Sequence, residues 1–114
     1  MGGAGVALAA AAAHSGGGDE ARASALFLMI HAAALLGISA HAAQAGREGF
    51  RRALLVSGLG LGLAASLFSA DLAARSYAGG RLFTFAAPIG GTGMIVFWLG
   101  IAGLFTYAAL RRVR

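Results

Sequence analysis

Long apolar runs alternate with short polar clusters along the chain. Four apolar stretches stand out: residues 2–14, mostly alanine, then 23–45, 52–72 and 88–110. Polar and charged residues gather between and after them, at 14–22, 47–52, 71–81 and 111–114. The last three stretches each run to about 20 residues or more, enough to cross a ~30 Å hydrocarbon core at 1.5 Å per residue. The pattern predicts a single all-α domain: an integral membrane protein built as a compact antiparallel bundle of four transmembrane helices, the first of them short.

That first helix reaches only about 20 Å. A secretory signal ending in the small-residue stretch "AAAAAHSG" is the competing reading. Residues 1–13 hold no arginine, however, so the basic leading region of a signal peptide is missing. We expect a retained short helix.

Composition supports a lipid environment. Hydrophobic residues make up 59% of the chain and charged residues 11%, whereas soluble domains carry about a quarter charged. A soluble chain of 114 residues cannot hide that much apolar surface. Net charge is +5 and every basic residue is arginine. The arginines are scattered between apolar runs rather than massed on one face, so nucleic acid is not an expected partner. Their distribution sets an orientation instead. Arg47, Arg51, Arg52, Arg111, Arg112 and Arg114 fall on the side of the termini, and Arg22, Arg75 and Arg81 on the other. The positive-inside bias places the termini in the cytoplasm, with the chain in a bacterial inner (plasma) membrane, or in an organelle inner membrane if it is eukaryotic. Without cysteine there is no disulfide and no thiolate chemistry.

Helices in lipid gain little from hydrophobic burial against one another and depend on close approach. Gly58, Gly62, Ser66 and Ala70 recur every four residues and form a small-residue strip along the third span. Ala33 with Gly37 and Gly93 with Gly100 give shorter strips. Pro88, the only proline, suits the first turn of the last helix, where a missing N–H costs nothing. Gly90, Gly91 and Gly93 then keep that helix slim for a neighbouring helix or for a ligand at the backbone. We expect a packing element, with membrane lipid and a protein partner or second copy as the contacts.

Ionisable groups inside spans are costly and are the natural place to seek function. The topology puts His14, His31, Ser66, Ser69 and Asp71 in the outer half of the bundle, beside residues 88–92. Such groups relay protons or orient a polar ligand, or they hydrogen-bond locally and fix helix register. The structural role is the expectation. His14, His31 and Asp71 lack any diagnostic metal-ligand spacing, so neither a metal nor a cofactor is expected. No serine has an activating base nearby in the pattern, and no phosphate loop or dinucleotide fingerprint occurs, which argues against an enzyme.

Residues 67–104, "LFSADLAARSYAGGRLFTFAAPIGGTGMIVFWLGIAGL", resemble the second half of domain-of-unknown-function family 423, the YgdD-type membrane proteins that also take in the transmembrane-protein-256-like proteins. Phe68 and Ser69, the run Pro88, Ile89, Gly90 and Gly91, and Trp98 carry the likeness in order and spacing. Ala13 with His14 and His31 with Ala32 extend it into the first half. The resemblance implies a four-helix membrane protein and brings no established activity. The expected function is a small non-enzymatic accessory or scaffold component of the membrane. The alternative is a binder or carrier of a lipid, quinone or other small hydrophobic ligand in the outer half of the bundle.

Overall fold

The computed structural model describes residues 1–15 and 18–112. Arg114, and Gly16 at the end of the small-residue stretch, lie outside the described residues. The protein is all-α, with four helices: α1 (Gly2–Ser15), α2 (Gly18–Ala43), α3 (Glu48–Ala78) and α4 (Ala86–Arg112). No strand occurs among the described residues. Three helices, α2, α3 and α4, are long and apolar enough to cross a membrane, and α1 is short.

The helices reach past the apolar stretches into polar sequence. α2 begins in Gly18, Asp19 and Glu20, and α3 continues through Asp71 and Arg75 to Ala78. Acidic residues at a helix start and a basic residue in the last turn complement the helix dipole, which lets both helices persist through their polar ends. α3 stops at Gly79, whose φ of +69° is the left-handed conformation that a glycine adopts without strain.

Backbones approach closely only between helices consecutive in the chain: α1 on α2, α2 on α3, α3 on α4. The helices thus pack in chain order with α3 as the hub, in a body of 54 × 27 × 19 Å whose long dimension is set by the length of the helices. The core is a cluster of Ile38 and Ala42 from α2, Leu54, Leu61, Ala64 and Ala65 from α3, and Met94 and Ile101 from α4. Leu54 and Leu61 are fully enclosed.

Small residues decide where the helices meet. On one side of α3, Gly58 and Gly62 face Ile38 and Leu35 of α2; a Cβ at either would lie 3.1–3.2 Å from those side chains. Ala70, the last position of the predicted strip, is exposed. On the other side the tip of the Phe97 ring occupies the space beside Gly60, within 2.1–2.5 Å of where a Cβ would stand. Further along the same contact Gly90 meets the backbone of α3, and a Cβ on Gly93 would stand 3.0 Å from the Ala64 side chain. A Cβ on Gly91 would meet only the edge of the Phe68 ring, at 3.8 Å. At α1 the close approach is Gly5, set against Ala25 O and Met29 of α2. The α2–α3 and α3–α4 contacts thus use glycines of opposite α3 faces, and short side chains allow many weak dispersion contacts at once.

Candidate functional site

The polar residues fall into separate, internally bonded groups rather than one constellation. His31 is 4% exposed. Its Nδ1–H donates to Phe27 O, one turn earlier, at 2.8 Å. A carbonyl only accepts, so Nδ1 carries the hydrogen and Nε2 offers a lone pair. That lone pair receives the indole N–H of Trp98 at 3.3 Å. The neutral imidazole has one donor and one acceptor, and both are engaged. Phe27 stacks on the same ring at 5.9 Å and meets Phe68 edge-on at 4.9 Å. Among the described residues the His31–Trp98 bond is the side-chain hydrogen bond between α2 and α4, whose backbones do not approach.

Asp71 is fully enclosed. Its Oδ2 accepts from Arg75 Nε at 2.8 Å and from Arg75 Nη2, while Oδ1 accepts Leu82 N–H at 2.8 Å. The carboxylate therefore ties the end of α3 to the connection that leads into α4. Charge-assisted bonds of this kind are stronger than neutral ones. The pairing follows from helix geometry, because residues four apart share a face. That spacing is visible in the sequence and identifies Arg75 as the partner.

Ser69 is also enclosed, and its carbonyl accepts the hydroxyl of Ser24 at 2.7 Å, a bond from α2 to α3. Ser69 Oγ and Ser76 Oγ are enclosed without a hydrogen-bond partner among the described residues. Ser24 carries no sequence signal beyond being a small polar residue at a span entrance. Ser66 lies elsewhere, on an apolar groove of about 340 Å³ between α2 and α3 walled by Leu35, Ile38, Gly58 and Gly62. His14 is exposed in the last turn of α1. Of the five residues His14, His31, Ser66, Ser69 and Asp71, none is hydrogen-bonded to another. No group of three or more His, Asp or Glu side chains placed to hold a metal ion occurs among the described residues.

The start of α4 is similarly satisfied. Ala86 N–H donates to Phe83 O at 3.1 Å, Pro88 has no N–H, and Ile89 N–H donates to Phe85 O at 2.9 Å. The first turn thus presents few free donors to an anion. The second polar feature is at the opposite end of the helices, where His41, Arg47, Phe50, Phe105, Tyr107 and Arg111 line a wider cleft of about 980 Å³. There His41 donates Nδ1–H to Gly37 O at 2.9 Å and stands edge-on to Phe105 at 5.2 Å.

The sequence profile of the family described as "Protein of unknown function (DUF423)" matches residues 8–91. That span takes in His31 and the Asp71 group and ends at Gly91, inside the first turns of α4, so the His31 partner Trp98 lies beyond it. No curated protein and no solved structure matches the chain. With well over half of its length matched, the chain belongs to the DUF423 family of proteins of unknown function.

Proposed function

We propose that the chain is a small non-enzymatic integral membrane protein that acts as an accessory or scaffold component by offering α4 to a partner helix. In this reading α2, α3 and α4 cross the bilayer antiparallel to one another, with α1 against α2. The arginine-rich end, holding the α2–α3 connection and the end of α4, faces the cytoplasm. An apolar solvent also accounts for glycine-rich helices of this length, since backbone groups there must be satisfied within the helix.

The observation that carries the reading is the uncovered state of α4. Only 11% of its span is buried within the chain, against 33% for α3. Ile95, Val96 and Leu99 are exposed, and nothing lies within 4 Å of a Cβ built on Gly100 or Gly103. Elsewhere in the chain Gly5, Gly60 and Gly90 mark places where another helix comes close. The same device on α4 is left open. The polar groups, by contrast, support structure: His31 and Asp71 have their bonding capacity used within the chain.

Purification from the native membrane in mild detergent, followed by native mass spectrometry, tests this. The expected mass is that of an assembly containing a second copy or another membrane protein. A single chain with no protein bound, under all mild conditions, contradicts the proposal.

A further inference from the structure

The wide cleft at the arginine-rich end has two kinds of wall. Phe50, Leu104 and Phe105 supply an apolar side, with Phe105 held edge-on to both His41 and Phe50. Arg47 and Arg111 supply charge, and no carboxylate lines the cleft among the described residues. The nearest acid in sequence, Glu48, is taken by Arg51 at 3.0 Å and Arg52 at 2.9 Å, so it does not neutralise the lining arginines. Arg111 is set over the ring of Tyr107, 5.1 Å from its centroid, which restrains the guanidinium. Arg47 is the residue at the start of α3 and makes no side-chain cap, and Gly49 of that first turn also lines the cleft. The unfilled first-turn N–H groups add to the positive potential there.

A volume of about 980 Å³ is at the upper end of the range in which proteins enclose a small ligand. The matching occupant carries a negative head and an apolar tail, and it approaches where the polar helix ends meet their apolar flanks. We propose that this cleft binds one anionic phospholipid, its phosphate taken by Arg47 and Arg111 and its acyl chains laid along Phe50, Leu104 and Phe105. The proposal rests on the membrane-spanning reading above. Charge complementarity favours the lipid over a helix of a partner protein, because an apolar helix leaves both arginines without an anion. A free phosphate leaves the aromatic wall uncovered.

The test uses the full chain in nanodiscs of phosphatidylcholine doped with phosphatidylglycerol, with native mass spectrometry of the lipid that stays bound. One retained phosphatidylglycerol, selected over phosphatidylcholine, is expected. The double variant Arg47→Gln, Arg111→Gln weakens retention by about fivefold for each arginine removed. Glu48→Gln, Arg51→Gln, Arg52→Gln removes two arginines outside the cleft without freeing the acid they hold, and changes retention by no more than about twofold. Ala108→Trp fills the cleft with no change of charge and also expels the lipid. Equal retention in all variants, or equal loss in both arginine pairs, overturns the site in favour of general surface attraction. Displacement of the lipid by inorganic phosphate overturns it in favour of a free-anion site. Failure of the wild-type chain to enter nanodiscs at all instead removes the membrane reading on which the site depends.

Discussion

Gly90 of α4 lies directly on the backbone of α3 at Phe68. A Cβ at Gly90 would stand 2.7 Å from Phe68 N and 2.8 Å from Ala64 O, and backbone atoms cannot swing aside as a side-chain end does. At Gly91, the next residue, a Cβ would make only an ordinary 3.8 Å contact with the Phe68 ring. Gly90→Ala is therefore expected to destabilise the fold by roughly 1–3 kcal/mol, as overpacking does. Gly91→Ala is expected to be neutral or slightly stabilising, since alanine is the better helix former. Thermal unfolding of both variants in the same detergent checks the contrast.

Phe97 on Gly60 offers a complementary experiment, because here the obstruction is a side chain. Gly60→Ala alone should lower stability by roughly 1–3 kcal/mol. Adding Phe97→Leu should restore part of that loss by making room. A double-mutant cycle with no coupling between the two positions contradicts the α3–α4 contact described here.

The bond from Trp98 to His31 predicts a second coupling, across helices whose backbones do not touch. His31→Phe leaves the indole N–H without its acceptor. Trp98→Phe leaves Nε2 without its donor. Each should cost roughly 1–3 kcal/mol, and their coupling should be nearer 0.6 kcal/mol, the average measured for interhelical hydrogen bonds in membranes. Unfolding of the two single variants and the double variant gives the coupling directly.

Asp71 holds Leu82 N–H and Arg75 together, so its loss should act first on the α3–α4 connection. In Asp71→Ala the Leu82 amide should exchange with solvent roughly ten- to a hundredfold faster, the range for losing a hydrogen bond to a charged group. Asp71→Asn keeps an acceptor for Leu82 and should have a smaller effect. Hydrogen-exchange mass spectrometry over residues 79–86 distinguishes the two.

Gly100 and Gly103 predict the opposite behaviour to Gly90. With open space around both, Gly100→Leu and Gly103→Leu should leave the unfolding midpoint of the isolated chain unchanged. If α4 offers this face to a partner, the same variants should break up the assembly. Size-exclusion chromatography beside thermal unfolding separates these effects.

Much of this architecture was readable along the chain, and the unreadable part has a common cause. Helix number, the short α1 and the long apolar α2, α3 and α4 follow from hydrophobic run length. Family membership follows from residues such as Pro88, Gly90 and Gly91. Gly58 and Gly62 stand out by their four-residue spacing, which is a property of one helix. The Asp71–Arg75 pair is equally local, although the sequence reading placed Asp71 with distant His14 and His31 instead. Gly60 and Gly90 acquire their roles from Phe97 and the Phe68 backbone, and the crossing position of two helices is not written in either one. His31 and Trp98 are separated by 67 residues, so their meeting depends on where α2 and α4 flank α3. The order of contacts has the same origin, since each helix can be described without saying which others it reaches.

The central claim, that α4 presents its uncovered face to another membrane protein, is tested most directly by photo-crosslinking in the native membrane. A photoreactive amino acid is placed at Leu99 on α4, and separately at the exposed Leu36 on α2 and Leu63 on α3. A discrete protein adduct is expected from position 99, and only lipid adducts from positions 36 and 63. Lipid adducts alone from all three positions would contradict the claim.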